Sequence, residues 1–158
     1  MNITAKITAI CLMMINSATA QVQLKSVAQL NDAMKNDPKP VLFLLSAEWC
    51  SYCHLQKRKL KEFFESPTKQ FYYVEFNIES KNQVDFNNKN YSYKPNGIQT
   101  GIHEFAIFLS GSNEGVSCPS WVLMDHNYNF IFRHAGVLSS REMTEMMQLL
   151  KHYEYLKY

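Results

Sequence analysis

The feature that most constrains the fold is an apolar run followed at once by a pair of cysteines. Val41–Leu45 is continuously apolar, as is typical of a central β-strand covered on both faces. Cys50 and Cys53 follow in the stretch Glu48-Trp49-Cys50-Ser51-Tyr52-Cys53-His54, where a helical pattern begins. Two cysteines at this spacing can form and break a disulfide, and with His54 they also match C-x-x-C-H, the attachment motif of c-type haem.

The first 20 residues have the pattern of a secretory signal peptide. Lys6 supplies a positive charge, Ile7–Ile15 is a short and mainly apolar run, and Ala18-Thr19-Ala20 matches an A-x-A cleavage site. We therefore expect residues 1–20 to be removed and a periplasmic or secreted protein to begin near Gln21. No later run approaches a membrane-spanning length, so we expect no stable membrane insertion after cleavage.

Length, charge and cysteine count narrow the remaining possibilities. Residues 21–158 are enough for one domain with a real core. The whole chain has 16 Lys and Arg against 14 Asp and Glu, and we see no basic run that would predict a nucleic-acid partner. After loss of Cys11 with the leader, three cysteines remain: Cys50, Cys53 and Cys118. An odd number does not suit a purely structural disulfide framework, although disulfides persist in exported proteins.

The periodicity of the chain predicts alternating strands and helices. We expect the order β-α-β-α-β-α-β-β-α, which gives a mixed central sheet with helices on both faces. Residues 79–100 read as a long polar connection, with His103 and Glu104 at surface positions of the short helix after it. The expected elements are an edge strand at Val22–Lys25, a helix at Ser26–Asn36 capped by Ser26, the strand Val41–Leu45, the motif helix ending at Ser66-Pro67, the strand Phe71–Ile78, a helix at Gly101–Ser110, the strands Trp121–Met124 and Phe130–His134, and a last helix opened by a capping box of Ser139 and Glu142.

In this order, three motifs resemble the thioredoxin-like superfamily. Ala47–Cys53 matches the family's A-x-W-C-x-x-C stretch, Cys118-Pro119-Ser120 matches its cis-proline loop, and Gly136 matches the glycine before its last helix. The resemblance implies an α/β thioredoxin fold over residues 21–158, with an insertion at residues 79–117 before the cis-Pro strand. The motif helix and the insertion are similar to those of exported bacterial members.

The resemblance also implies a function, that of an exported thiol–disulfide oxidoreductase without a cofactor. Cys50, at the helix start where the dipole favours a thiolate, would be the nucleophile, and Cys53 the resolving thiol. Trp49, Cys118, Pro119 and Gly136 would line the substrate groove. The partners would be protein thiols and disulfides and a redox partner protein. Ser51-Tyr52 resembles the dipeptide of disulfide isomerases, which favours reductase or isomerase work over strong oxidation.

Two positions depart from the family pattern. Leu44 stands where many thioredoxins carry a buried Asp that relays a proton for the second cysteine. Glu48 is an alternative proton acceptor, unless it is merely a solvated loop residue. Cys118 stands where Thr or Val is common, and it is either a small, half-buried replacement or a third redox-active or metal-binding thiol.

Two alternative functions remain open from the residues alone. One is a thioredoxin-fold metal-binding or chaperone module that uses Cys50, Cys53 and Cys118, where three soft ligands with His54 would suit Zn²⁺ or Cu(I). The other is c-type haem attachment through Cys50, Cys53 and His54. The haem would need a pocket beside the motif, and the predicted strand order offers none.

Overall fold

The structure, a computed structural model, describes residues 23–24, 26–64, 71–112 and 115–155. The predicted signal peptide and the predicted helix stop at Ser66-Pro67 lie outside these residues. In chain order the elements are β1 (Gln23–Leu24), α1 (Val27–Asn36), β2 (Val41–Ser46), α2 (Ser51–Phe64), β3 (Tyr72–Asn77), β4 (Val84–Phe86), β5 (Lys89–Tyr91), β6 (Tyr93–Gly97), β7 (Thr100–His103), α3 (Glu104–Ser110), β8 (Ser120–Met124), β9 (Phe130–Ala135) and α4 (Ser140–Tyr155).

Five strands form the mixed central sheet that the alternation of elements predicts. Their order is β1-β3-β2-β8-β9, in which β3 pairs with β1 and β2 in parallel while β8 pairs antiparallel with β2 and β9. All six side chains of β2 are buried. Val41, Phe43 and Leu45 belong to one hydrophobic cluster, and Leu42 and Leu44 to the other. The prediction of a central strand covered on both faces is confirmed.

Capping residues set the starts of the first and last helices as predicted. The Ser26 hydroxyl accepts a hydrogen bond from the Gln29 N–H at 3.2 Å, which makes Ser26 the N-cap of α1. Before α4, Glu142 accepts from the Ser139 N–H at 2.7 Å, and the Glu142 N–H donates to the Ser139 hydroxyl at 3.3 Å. This reciprocal pair is the predicted capping box. Among the described helices, none is long and apolar enough to cross a membrane.

Residues 79–100, predicted as a long polar connection, consist mostly of two antiparallel hairpins. β4 and β5 are joined by Asn87 and Asn88, both at positive φ, and β6 pairs with β7. Two central residues at positive φ make the tight turn that suits a two-residue hairpin, and Asn tolerates this conformation. Gly101–His103 is therefore strand, and the helix expected from Gly101 begins at Glu104.

His103 was predicted at the surface, but its side chain is completely buried at 0% exposure. Its Nδ1 accepts a hydrogen bond from the Phe105 N–H at 3.0 Å, which caps α3, and its Nε2 lies 2.9 Å from the Asn82 carbonyl oxygen. A carbonyl only accepts, so Nε2 carries the proton and the ring is neutral. Burial lowers the pKa of His103, opposed by the Asn82 carbonyl and the Glu104 carboxylate.

Aromatic packing joins the insertion to the sheet. The Phe105 ring lies at the centre of this cluster and is completely buried. Its centroid is 5.0 to 5.7 Å from four rings contributed by β2, β3 and the β4–β5 hairpin, those of Phe43, Phe76, Phe86 and Tyr91. Edge-to-face and tilted rings at these separations attract one another beyond the area they bury. The β4–β5 hairpin is therefore part of the core.

We expect His103 to make the stability of the fold depend on pH. In the unfolded chain its pKa returns to the ordinary 6.5, so below that pH the unfolded state takes up a proton that the folded state resists. Stability is therefore fully present above pH 6.5 and falls on acidification. The His103→Gln variant lacks this titration. We expect it to be less stable than the parent by about 1 kcal/mol at pH 7.5, the typical loss for a hydrogen bond.

Urea unfolding followed by circular dichroism at pH 7.5 and 5.0 tests this expectation. The gap in unfolding free energy between parent and variant should narrow at pH 5.0, since only the parent loses stability through this residue. A gap that stays constant or widens on acidification would show that His103 is not held neutral in the fold.

Candidate redox site

Cys50 and Cys53 lie where β2 passes into α2, and they are joined by a disulfide with a Cα–Cα distance of 5.3 Å. The Cys50 N–H donates to the Ala47 carbonyl at 3.1 Å, which closes the turn after the strand. The N–H groups of Cys53 and His54 then donate to the Cys50 carbonyl at 3.1 and 3.3 Å, which begins the helix. The buried strand and the helix start together hold the pair at one end of the sheet.

The two sulfurs have different surroundings. The Cys53 N–H donates to the Cys50 Sγ at 3.1 Å. The unpaired N–H groups of a first helical turn and the helix dipole also favour negative charge at this position. Cys50 retains 4% exposure and Cys53 has none. Of the two cysteines, Cys50 therefore keeps the solvent exposure, and its position would stabilise a thiolate after reduction.

The second cysteine-bearing loop lies against this disulfide. The Cys118–Pro119 peptide bond is cis, and the Cys118 carbonyl oxygen is 3.3 Å from the Cys50 Sγ. The Gly136 N–H donates to the Pro119 carbonyl at 2.8 Å, and the Ser120 hydroxyl donates to the Ser117 carbonyl at 2.6 Å. Gly136 adopts a φ of +110°, which glycine reaches without steric cost. The structure thus brings together Cys118, Pro119 and Gly136, which are distant in sequence from the motif.

Two exposed aromatic side chains border the disulfide. Trp49 is 67% exposed and Tyr52 is 65% exposed, although both flank the nearly buried Cys50. The Trp49 Nε1–H donates to the Glu79 Oε2 at 3.0 Å, so the indole is held in place from the end of β3. Exposed aromatic rings with a fixed orientation are common at protein-binding surfaces.

The thiol of Cys118 lies close to the Cys50–Cys53 disulfide. The Sγ atoms of Cys50, Cys53 and Cys118 all lie within 4.8 Å of one another. Cys118 is half-buried, and it is the one free cysteine in the part of the chain that the structure describes. Burial raises the pKa of its thiol, and the nearby Glu79 carboxylate raises it further. Cys118 is therefore a proton-bearing thiol at neutral pH.

The position where the family pattern has a buried acid is apolar. Leu44 is completely buried, and its neighbours in register are Glu75 on β3 and Trp121 on β8. The Trp121 indole N–H is buried without a hydrogen-bond partner among the described residues. Glu48, the alternative acid, is exposed, and its backbone carbonyl lies 3.0 Å from the His54 Nε2.

A carboxylate that the sequence analysis missed lies one strand away from Leu44. Glu75 accepts a hydrogen bond from the Ser46 hydroxyl at 2.7 Å and forms an ion pair with Lys57 of α2. All three residues lie around the end of the sheet that carries the disulfide. The sequence signal was present, since Glu75 is the one charged residue in the predicted strand Phe71–Ile78.

A buried glutamine also escaped the sequence analysis. Gln56, one helical turn after Cys53, has no exposure. Its Oε1 accepts from the Leu138 N–H at 2.8 Å, and its Nε2 donates to the Met143 Sδ at 3.3 Å. The first bond connects α2 to the segment between Gly136 and α4, and the second connects α2 to α4 itself. Gln56 therefore helps to hold the Gly136 segment against the helix that carries the cysteines.

Cys50, Cys53 and His54 are not arranged to attach a haem. Cys53 is completely buried and bonded to Cys50, whereas His54 is exposed on α2. Thioether attachment would require both sulfurs to face outward beside a haem pocket. The geometry favours the disulfide interpretation of these residues.

The comparison with known protein families agrees with this geometry. A family profile described as a thioredoxin-like domain matches residues 27–151. The chain belongs to the thioredoxin-like domain family. The matched range includes both cysteines of the motif, the cis-proline loop and Gly136. A search of curated protein sequences finds no match to this chain.

Solved structures of the family show the same fold. Trxlp from Edwardsiella tarda is 18% identical with a TM-score of 0.52, and the match covers 80% of this chain and 97% of that one. Thioredoxin O2 from Arabidopsis thaliana in the oxidized state is 20% identical with a TM-score of 0.51, covering 84% and 96%. Thioredoxin f from spinach chloroplast is 11% identical with a TM-score of 0.54, covering 84% and 95%. At these identities the similarity establishes the fold alone.

We expect Glu79→Gln to lower the pKa of Cys118. The substitution removes a negative charge that disfavours the thiolate, while burial continues to raise the pKa. The pH dependence of alkylation by iodoacetamide measures this pKa in the oxidised protein. A Cys11→Ser background leaves Cys118 as the one thiol, since the chain has four cysteines and two are in the disulfide.

Trp49→Phe is the matched control for this experiment. It removes the hydrogen bond to Glu79 but keeps the carboxylate, so the midpoint of its alkylation profile should not fall. An unchanged or raised midpoint in Glu79→Gln would show that the carboxylate does not act on this thiol.

Proposed function

We propose that this protein is an exported thiol–disulfide oxidoreductase that exchanges the Cys50–Cys53 disulfide with cysteines of protein partners. The observation that carries the proposal is the asymmetry of the pair. Cys50 is at the helix start with the Cys53 N–H directed at its sulfur, while Cys53 is completely buried one turn inside the helix. Such an arrangement suits one attacking and one resolving thiol. Membership of the thioredoxin-like family supports the same chemistry.

The proposed reduction of a partner has two steps. The Cys50 thiolate attacks one sulfur of the partner's disulfide, forms a mixed disulfide and releases the other partner sulfur as a thiolate, which takes up a proton. Cys53 then loses its proton and attacks the Cys50 sulfur, which re-forms the internal disulfide and releases the second partner sulfur. The two cysteines give the partner two electrons, and its two released thiolates take up one proton from Cys53 and one from the solvent. The reverse sequence oxidises a partner.

The surroundings of the disulfide support a role in binding extended protein segments. Pro119 and the Cys118 carbonyl lie on one side of Cys50, and Trp49 and Tyr52 present exposed rings. Gly136, bonded to Pro119 through its N–H, adds no side chain to this surface. In the proposal, Trp49, Cys118, Pro119 and Gly136 form the groove, while Tyr52 adds an aromatic contact beside the nucleophile.

The proposal also includes the direction of electron transfer and the cellular location of the protein. Ser51-Tyr52 resembles isomerase-type dipeptides and has no proline between the cysteines, which favours reductase or isomerase work. The signal-peptide pattern of residues 1–20 supports function in the periplasm or after secretion, where a redox partner protein would reset the pair.

Equilibration with glutathione buffers of graded potential tests the redox chemistry. We expect Cys50 and Cys53 to be oxidised and reduced together, so that quenching with an alkylating reagent and mass spectrometry yield species that carry either no label or two labels on the pair. A pair that stays locked in either state at every glutathione ratio contradicts the proposal, and a mass increase of one haem would favour a cytochrome.

Single serine variants test the separate roles of the two cysteines. Cys53→Ser should accumulate a mixed disulfide between Cys50 and a reducible protein such as insulin, because the resolving thiol is missing. Cys50→Ser should reduce insulin no faster than the uncatalysed background. Equal trapping by both variants would contradict the assignment of nucleophile and resolving thiol.

Expression of the full chain in a Gram-negative host tests the export proposal. We expect the periplasmic protein to begin at Gln21 by N-terminal sequencing, because Ala18 and Ala20 provide the small residues of the cleavage site. Ala18→Arg with Ala20→Arg should block processing. Parent protein that retains Met1 and remains in the cytoplasmic fraction would be evidence against export.

A further inference from the structure

We propose that the reduced protein binds one Cu(I) ion through the three sulfurs of Cys50, Cys53 and Cys118. The first observation is their proximity, since the three Sγ atoms lie within 4.8 Å of one another. The helix start supplies two of them and the cis-proline loop supplies the third. The inference uses two cysteines of the proposed redox function but does not depend on turnover.

Once the disulfide is reduced, the three sulfurs are close enough to reach the spacing of a three-coordinate metal site. With metal–sulfur bonds of about 2.3 Å, three sulfurs around one ion are about 4 Å apart. Reduction of the disulfide frees the Cys50 and Cys53 sulfurs to separate to that distance. Cys118 already lies within reach, and the bond from the Gly136 N–H to the Pro119 carbonyl holds its loop against the site.

The number and kind of ligands select the metal. Thiolates favour soft ions such as Cu(I) and also bind Zn²⁺, which takes four ligands in structural sites. Among the described residues, the cluster contains three sulfurs and no histidine or carboxylate as a fourth member. His54 and Glu79 have other contacts, since His54 lies against the Glu48 carbonyl and Glu79 accepts from Trp49. A three-sulfur site therefore favours Cu(I).

The environment of the sulfurs also suits a soft monovalent ion. Cys50 and Cys53 are buried members of a hydrophobic cluster, and Cys118 packs against it. This setting excludes most water, while the Cys53 N–H and the start of α2 stabilise negative charge on the Cys50 sulfur. The bound ion would be sheltered but close to the surface that Trp49 and Tyr52 border.

The proposed binding step is balanced without any redox change of the metal. A dithiol reductant first supplies two electrons and two protons to the Cys50–Cys53 disulfide. Cu(I) then displaces the thiol protons, which pass to the buffer, and copper remains Cu(I) throughout. Since the metal and the disulfide use the same two sulfurs, the oxidised protein should not bind the ion.

Competition with the Cu(I) chelator bicinchoninate tests the inference. The full chain in a Cys11→Ser background is reduced, freed of reductant under anaerobic conditions and titrated into the coloured chelate. We expect the parent to remove one equivalent of Cu(I), and X-ray absorption of the product to show three sulfur neighbours. We expect the oxidised parent to leave the chelate unchanged. No removal by the reduced parent, or two sulfur neighbours in the product, would overturn the proposal.

Cys118→Ser is the matched variant, since it keeps the redox pair and removes the third sulfur. We expect its Cu(I) affinity to fall at least tenfold. Mutation of a residue that only orients a metal ligand already lowers affinity about tenfold, and Cys118 would be a ligand itself. Equilibration of the metal-free parent with glutathione buffers tests the oxidoreductase proposal independently of copper, so failure of one proposal is distinguishable from failure of the other. Equal affinity of parent and variant, or displacement of Cu(I) by equimolar Zn²⁺, would overturn the assignment. If the variant does not fold, the number of sulfur neighbours that X-ray absorption finds around copper in the parent still tests the three-sulfur site.

Discussion

Burial of β2 on both faces is the constraint on which the other elements depend. Its side chains alternate between two hydrophobic clusters, so helices and hairpins must cover both sides of the sheet. The strand leads directly into the turn before Cys50, and its antiparallel neighbour β8 begins immediately after Pro119. Pairing of these two strands therefore brings the two cysteine-bearing loops to the same end of the sheet. The redox site follows from the packing of the core.

Elements with a local sequence signal could be predicted, because an apolar run, a helical period or a capping pair is visible in a few neighbouring residues. β2, α1 with its Ser26 cap and the capping box of α4 are of this kind. The hairpins at residues 79–100 could not, because strands of three to five residues show too little alternation and their turns rely on Asn at positive φ. His103 was misplaced for a related reason, since its burial depends on the Asn82 carbonyl as an acceptor, which periodicity does not reveal.

The site could be predicted only in part for similar reasons. Cys50 and Cys53 are neighbours in sequence, so their pairing has a local signal. The positions of Cys118 and Gly136 beside them required knowledge of the family's topology. The contact of Glu79 with Trp49 and that of Glu75 with Lys57 join separate elements through side chains, and neither has a sequence motif. Glu75 on β3 bonds to Ser46 and Glu79, just after β3, bonds to Trp49, while Leu44 packs in the hydrophobic cluster that does not include Cys50 and Cys53.

The two ends of the β6–β7 hairpin differ in their contact with the core, since its base is packed and its tip is exposed. Its base is anchored, since the His103 N–H donates to the Ile78 carbonyl at 2.7 Å and the His103 ring is buried. Its tip carries Ile98, which is 94% exposed. Substitutions at such a tip change few packing contacts, whereas substitutions at the base disturb the core. Residues at the tip can therefore be substituted, which changes the chemistry of the surface there, while the disulfide and its supporting strands remain unchanged.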